Sequence, residues 1–147
     1  MRIDPQTLEP RFRVIGSELW SDEVDFAAQT SKFGVTGICG SGIIEVVAEM
    51  FLAGIITVDG VIDGALVERS SRIIADGRTF SYVLYQPDAT AVIGVERTTP
   101  ITITQNDVRQ IQLAKAALYA GVKLLMDKVG VERIDRIRLA GAFGSHI

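Results

Sequence analysis

The clearest pattern in the chain is a run of apolar residues at helical spacing ahead of a glycine. These residues recur every three or four positions before Gly54: Ile43, Val46, Val47, Met50 and Phe51. The spacing predicts a helix over residues 43–53 with these side chains on its buried face. Ser41 is a favoured capping residue, and Gly54 can take the left-handed conformation that ends a helix, so we expect them at its two ends.

A longer helical pattern follows Thr104. Thr104 with Asp107 three positions later is a variant of the capping box, and Gly130 supplies a stop. Between them the apolar positions keep helical spacing: Ile111, Ala114, Leu118, Val122, Leu125 and Val129. Small residues within residues 114–121 would let another backbone come close, and we expect a sheet surface as the neighbour.

The first third of the chain predicts a hairpin and an irregular segment. Alternation within residues 2–16 indicates two short strands, the second over residues 11–15. Residues 17–32 are polar and irregular, and we expect Trp20 and Phe26 to anchor them in the core. A two-stranded hairpin is not stable alone, so it must border something larger.

The middle of the chain predicts antiparallel strands. Asp59-Gly60 between two apolar runs is a strong two-residue turn signal, and residues 69–75 form a short amphipathic piece. β-branched and aromatic residues predict strands at residues 78–85 and 91–95. We interpret this part as a β-rich insertion around residues 55–100.

The composition is that of one soluble α/β domain. Of 147 residues, 48% are hydrophobic and 22% are charged, which is ordinary for a folded domain of mixed class. A net charge of −3 gives no basic field for nucleic acid, and no apolar run approaches the roughly 20 residues that cross a bilayer. We therefore predict no nucleic-acid partner and no membrane partner, and we expect a cytoplasmic protein.

The chain ends just after a glycine turn. Residues 136–140 predict a strand that leads into Gly141-Ala142-Phe143-Gly144, and the sequence stops three residues later. Such a turn normally leads into a helix that covers the sheet. We therefore expect residues 1–147 to be a single partial domain that is cut at both ends.

Another glycine turn, Gly37-Ile38-Cys39-Gly40-Ser41-Gly42, opens the first predicted helix. Its backbone can approach a ligand closely, because glycine has no Cβ, and its N–H groups can point at one anion. The order G-x-x-G-x-G differs from the dinucleotide fingerprint, and no lysine follows as in a Walker A loop. Phosphate binding and the geometry of the turn alone both explain these glycines.

Few side chains are available for metal or nucleophilic chemistry. Cys39 is the only cysteine and His146 the only histidine, which excludes an internal disulfide and a cysteine-only cluster within this chain. We predict no catalytic residue and no metal site. Cys39 could be a nucleophile at a helix start, but it lacks a neighbouring base, and we favour a buried structural thiol.

Glu45 and Glu49 lie four residues apart and therefore on one side of the predicted helix. Carboxylates are rarely buried, which favours a solvated face. The alternative places Glu45 beside the hydroxyls of a bound nucleoside.

Three segments in this order resemble the C-terminal region of the reductive activators of corrinoid proteins. They are residues 37–45 with 53–56, residues 103–109 with 112–115, and residues 139–144. Members of that family join a ferredoxin-type iron–sulfur domain to an ATPase module of the superfamily of acetate and sugar kinases, Hsp70 and actin. The resemblance implies an α/β fold, a ribonuclease-H-like lobe with a mixed sheet and flanking helices.

In that superfamily ATP lies between two lobes, and the resemblance implies that this chain is most of the second one. The turn Gly141-Ala142-Phe143-Gly144 matches the motif that passes under the base and ribose. Gly40, Ser41, Gly42 and Glu45 match the helix start on the other side of the nucleoside. The aspartate-glycine-threonine phosphate loops of the family are absent from the sequence.

The implied function is ATP-coupled reduction of a cobalt(II) corrinoid to cobalt(I). ATP with Mg²⁺ and an iron–sulfur cluster are implied for the full-length parent, with no cluster in this chain, and a corrinoid protein is the implied partner. We expect the isolated chain to be inactive and to bind ATP weakly or undetectably.

Two other interpretations stay open. The parent can be a sugar or acyl kinase, or an activator of a radical dehydratase, within the same superfamily. The chain can also be a non-enzymatic docking domain, or a homodimer, that uses the strands near residues 82–95 and the small residues of 114–121.

Overall fold

The computed structural model describes residues 1–31, 34–87, 100–138, 140 and 141. Its elements in chain order are β1 (Arg2–Ile3), β2 (Pro10–Arg11), α1 (Phe26–Thr30), α2 (Gly40–Leu52), a short 3-10 helix (Gly64–Glu68), β3 (Ile73–Asp76), β4 (Thr79–Tyr85), β5 (Ile101–Thr104) and α3 (Gln105–Val129). The strand predicted at residues 91–95 lies outside the described residues. No described helix is long and apolar enough to cross a membrane, and the cytoplasmic location stays a prediction.

Two antiparallel sheets and helix α2 surround the core. β1 pairs with β2, and β4 is the central strand between β3 and β5, which confirms the strand predicted at residues 78–85. The buried hydrophobic residues of the core come from β1, α2, β3, β4, β5 and α3 and from the turns between elements, and they include Ile3, Leu8, Val46, Met50, Ile55, Ile62, Ile73, Tyr82, Ile103 and Val108.

The turn between β1 and β2 holds their hairpin against the three-stranded sheet. Leu8 in this turn is fully buried, although its φ of 62° is left-handed. Its carbonyl accepts a 2.9 Å hydrogen bond from the Tyr82 hydroxyl. Arg69 donates to the carbonyls of Pro5 and Gln6, each at 2.7 Å. The hairpin therefore shares one core with β4.

The second strand of the hairpin is shorter than the sequence predicts, because β2 ends at Arg11 and residues 12–15 form no strand. Beyond it the Phe12 amide donates to the Ser21 hydroxyl, and the Ser21 amide donates to the Phe12 carbonyl. These bonds satisfy the Phe12 backbone without a partner strand, so the chain leaves the sheet there.

The segment before α2 is less irregular than predicted, since residues Phe26–Thr30 form α1. Phe26 is buried, as expected. Trp20 is only partly buried and lies between the guanidinium groups of Arg11 and Arg13, 4.6 and 4.5 Å from its ring centroid. Cation–π attraction thus holds it near the surface, outside the core.

A turn forms before Val61, but its loop holds three residues, 58–60, where the sequence predicts two, since Thr57 lies opposite Val61. The turn is joined to the start of α3. Gly60 has φ 78°, and the Thr57 amide donates to the Val61 carbonyl at 2.8 Å. The Gln105 side chain donates to the Gly60 carbonyl at 2.8 Å. The first residue of α3 therefore fixes this turn.

Residues 69–75 do not form the short amphipathic piece that the sequence predicts. The helical turn comes earlier, at Gly64–Glu68, and the chain from Ile73 onward pairs with β4. Backbone hydrogen bonds to a neighbouring strand outweigh the weak local pattern there.

Helix α3 begins and ends where the sequence predicts. The Thr104 hydroxyl accepts the Asp107 amide at 3.1 Å, and the Asp107 carboxylate accepts the Thr104 amide at 2.8 Å. Gly130 ends the helix with φ 69°. The expected sheet along residues 114–121 is wrong for the described part of the chain, because Leu118 is 73% exposed and residues 114–121 are exposed throughout.

The strand predicted at residues 136–140 is also wrong for the residues described there. Residues 136–138 and 140 are exposed and irregular. No strand in the described part of the chain pairs with them, and a strand needs such a partner for its backbone hydrogen bonds.

Candidate functional site

The glycine turn leads directly into α2, which begins at Gly40, three residues earlier than predicted. Its N-cap is Cys39, so the prediction that Ser41 caps the helix is wrong. The Cys39 sulfur accepts the Gly42 amide at 3.4 Å, and the Cys39 carbonyl accepts the Ile43 amide at 3.1 Å. Cys39 has the extended backbone that an N-cap requires, which Ser41, inside the helix, lacks.

The Cys39 thiol is exposed, so the buried structural thiol favoured from the sequence is wrong. The Ser41 hydroxyl lies 3.5 Å from the sulfur. This hydroxyl, with the Gly42 amide, lowers the pKa of the thiol below its ordinary value, because both hydrogen bonds favour the thiolate. His146, the one histidine of the sequence, lies outside the described residues.

Gly42 is confined by its own turn. A Cβ added to it would lie 3.1 Å from Ile38 Cγ2 and 3.2 Å from Cys39 Sγ, closer than ordinary contact. Its amide is already bonded to the Cys39 sulfur and is not free to bind a phosphate. These contacts favour a turn that presents a surface to a ligand over a turn that cradles an anion.

Glu45 and Glu49 both bond to the first residues of the chain. Glu49 accepts the Ile3 amide at 3.1 Å and lies 3.1 Å from the Arg2 guanidinium. Glu45 lies 2.7 Å from the Met1 amino group and 3.5 Å from Arg2. The solvated-face interpretation is wrong for Glu49, whose side chain is 14% exposed, whereas Glu45 is 43% exposed.

The buried face of α2 is narrower than predicted. Val46 and Met50 are buried, and Ile43 and Val47 pack against the core partly exposed. Phe51 is 51% exposed, which contradicts its placement on the buried face. The neighbouring Met50 is fully buried, so the core takes up one side of this last turn and Phe51 lies on the other.

The second glycine turn is described only at its first residue. Gly141 is exposed and has φ 110°, a conformation that favours glycine. Ala142, Phe143 and Gly144 lie outside the described residues. The structure therefore brings Gly40, Ser41, Gly42 and Glu45 together at the start of α2, and the facing of the two turns stays a prediction.

The start of α2 combines small residues with one partly exposed carboxylate. No group of three His, Cys, Asp or Glu side chains that could hold a metal ion occurs among the residues that the structure describes. A chain with one cysteine does not fit an iron–sulfur cluster. For a nucleoside, Gly37 has open space where a Cβ would stand, and Glu45 exposes acceptor oxygens.

Two clefts lie elsewhere on the surface. One of about 390 Å³ follows the hairpin beside Arg2 and Arg11, and one of about 230 Å³ lies beside Gln105. Neither is lined by the glycine turn before α2. These two clefts therefore lie apart from the candidate site.

Comparison with known proteins decides the family. Residues 1–147 match the family described as the C-terminal domain of RACo, the ASKHA domain. The chain belongs to this family. The corrinoid activation enzyme RamQ of Eubacterium limosum is 39% identical to the RACo-family chain over 119 residues, which are 79% of this chain and 20% of RamQ.

A solved structure agrees with this family membership. A reductive activator for corrinoid, iron-sulfur protein is 35% identical, with a TM-score of 0.59, over 74% of this chain and 16% of that one. The RACo-family chain thus spans about a fifth or less of the length of these relatives. The resemblance and the α/β fold of the actin and Hsp70 superfamily are confirmed, whereas the partial domain and its β-rich insertion stay predictions.

Proposed function

We propose that this chain is part of the ATPase module of a reductive activator of corrinoid proteins and supplies one side of its nucleotide site. The match of all 147 residues to the RACo C-terminal domain carries this proposal. RamQ and the solved reductive activator, both named for corrinoid activation, support it over a kinase or a radical-dehydratase activator.

In this proposal the start of α2 is one wall of a nucleoside pocket. Gly40, Ser41 and Gly42 present backbone and small side chains, and the partly exposed Glu45 offers acceptor oxygens to ribose hydroxyls. The engaged Gly42 amide supports a nucleoside wall over a phosphate cradle. We expect the facing wall from the motif Gly141-Ala142-Phe143-Gly144, on its resemblance to the family's adenosine motif.

The phosphates and Mg²⁺ belong, in this proposal, to loops outside the chain. No acidic cluster suited to a metal occurs in the described residues, and the match covers a fifth or less of the relatives' length. A cluster elsewhere in the full-length protein would supply the single electron that reduces cobalt(II) to cobalt(I). Because residues 1–147 supply only half of the nucleotide site in this proposal, we expect them to bind ATP weakly and to have no activity alone.

The exposed face of α3 supports the view that the chain is part of a lobe. These large apolar side chains of α3 are at least 43% exposed: Leu113, Leu118, Tyr119, Val122, Leu124, Leu125 and Val129. A helix that is apolar over most of its circumference is normally buried. We propose that the remainder of the lobe covers it.

The same exposed apolar face of α3 could instead pack against a second copy of the chain. A homodimer that docks through this face is therefore the second candidate function. Light scattering separates the two, because a longer protein that includes the remainder of the lobe should be a monomer if that remainder covers α3. A dimer whose contacts include residues 114–121 would favour the docking function.

Anaerobic spectroscopy of the longer protein tests the proposed activity. We expect cobalt(I) absorbance to appear from a cobalt(II) corrinoid protein only when a reductant and Mg-ATP are both present. Gly42→Ala should slow this reduction, because its Cβ displaces the helix start. Phosphoryl transfer to a sugar or acyl acceptor without cobalt reduction would support the kinase interpretation and contradict ours.

A further inference from the structure

We propose that Arg2 is a positioning residue for Glu45: together with Glu49 it orients the Glu45 carboxylate to receive the ribose hydroxyls of a nucleotide. The inference rests on the proposed function of the α2 start and adds a residue of β1 to that site. It explains a contact between two elements that the sequence places 43 residues apart.

The Arg2 guanidinium bridges two carboxylates of unequal burial. Its Nη1 lies 3.1 Å from Glu49 Oε1 and 3.5 Å from Glu45 Oε1. Glu49 is the fixed partner, because its side chain is 14% exposed and its other oxygen accepts the Ile3 amide. Ile3 is itself 5% exposed in the core, so the fold sets the position of this anchor.

Glu45 keeps room for a ligand on its outer side. Its Oε1 faces Arg2. In the longer protein proposed above, Met1 is part of a peptide bond and has no free amino group, so part of the roughly four acceptor positions of the Glu45 carboxylate stays unused. The side chain is 43% exposed. The two neighbouring hydroxyls of a ribose are hydrogen-bond donors, and the unused acceptor positions of Glu45 suit them.

Arg2 also offsets the repulsion between the two carboxylates. Glu45 and Glu49 are four residues apart on one helix, and like charges at this spacing repel. Without the guanidinium, Glu45 would rotate away from Glu49 and lose the orientation that faces the ligand. Loss of Arg2 should therefore weaken ribose recognition in particular.

Binding of ATP and 2′-deoxy-ATP by the longer protein, with the preceding lobe present, tests this role. We expect the wild type to prefer ATP and Glu45→Gln to lose that preference. Arg2→Ala should lower ATP affinity about two- to five-fold, the range of exposed ion pairs, and leave 2′-deoxy-ATP affinity nearly unchanged. Arg2→Lys should restore part of the preference.

Arg13→Ala is the matched control, since Arg13 is an exposed arginine that contacts Glu18 and Trp20. It should leave both affinities unchanged. If Glu45→Gln keeps the preference for ATP, the proposed site itself is wrong. If Glu45→Gln removes it while Arg2→Ala keeps it, or if Arg2→Ala weakens both nucleotides equally, only the positioning role is wrong.

Discussion

Replacing Tyr82 with phenylalanine removes one hydroxyl from the centre of the fold. Tyr82 is fully buried on β4, and its hydroxyl donates to the Leu8 carbonyl at 2.9 Å. The ring can keep its packing after the substitution. The Leu8 carbonyl, buried in the hairpin turn, loses this donor.

The expected cost follows from that buried acceptor. A hydrogen bond between neutral groups stabilises a protein by a net ~0.5–1.5 kcal/mol, and an unsatisfied buried acceptor costs ~1–3 kcal/mol. We therefore expect Tyr82→Phe to lower the free energy of unfolding by about 1–3 kcal/mol. For a domain of this size each kcal/mol moves the Tm by about 2–5 °C, so the Tm should fall by roughly 2–15 °C.

Thermal and urea unfolding followed by circular dichroism measure this change. In residues 1–147, Tyr119→Phe is the matched control, because Tyr119 is 73% exposed on α3 there and the same atom is removed. Its free energy of unfolding should stay within about 0.5 kcal/mol of the wild type. If Tyr82→Phe also stays within that range, the Leu8 contact does not stabilise the hairpin and our reasoning is refuted.

Three further predictions concern local chemistry. Thr104→Ala should lower the free energy of unfolding by about 1 kcal/mol in urea titrations, because the Asp107 amide loses its acceptor, and Thr104→Ser should restore most of it. The rate of Cys39 alkylation should show a pH midpoint below that of an ordinary thiol. Ser41→Ala should raise this midpoint, because the Ser41 hydroxyl is the largest cause of the lowered pKa. An unchanged midpoint would count against the cap geometry. Burial raises the pKa of Tyr82, so the stability from its neutral form is present below its unfolded pKa of about 10 and is lost as pH rises above it. Unfolding midpoints between about pH 8 and about pH 11 should show this loss in the wild type and a smaller loss in Tyr82→Phe.

The sequence predicts α3 and the end of α2 well because local chemistry decides these helix ends. Thr104 with Asp107 and the left-handed Gly130 bound α3, and Gly54, with φ 76°, follows α2. The burial of Leu8 could not be predicted in this way. Its partner Tyr82 is 74 residues away, and its left-handed backbone is unusual for a leucine.

The sequence predicts a helix start near the glycine turn and Glu45, but it does not predict the side-chain contacts there. The glycines and Glu45 mark the start of α2, but the sequence pointed to Ser41 as the cap because hydroxyls are the usual caps and thiols are not. The role of Arg2 depends on the approach of β1 to α2, which no local pattern encodes. The one signal in the sequence is charge: Arg2 on a short strand is positive, and the Glu45–Glu49 pair on a helix is negative. Their opposite charges could have suggested the contact.

The central claim is that this chain supplies one side of a nucleotide site that other parts of the module complete. Calorimetric titration with Mg-ATP tests it most directly, on residues 1–147 alone and on the same residues joined to the preceding lobe. We predict weak or undetectable binding by residues 1–147 and clear binding by the longer protein. Micromolar affinity for residues 1–147 alone, or no binding by the longer protein, would contradict the claim.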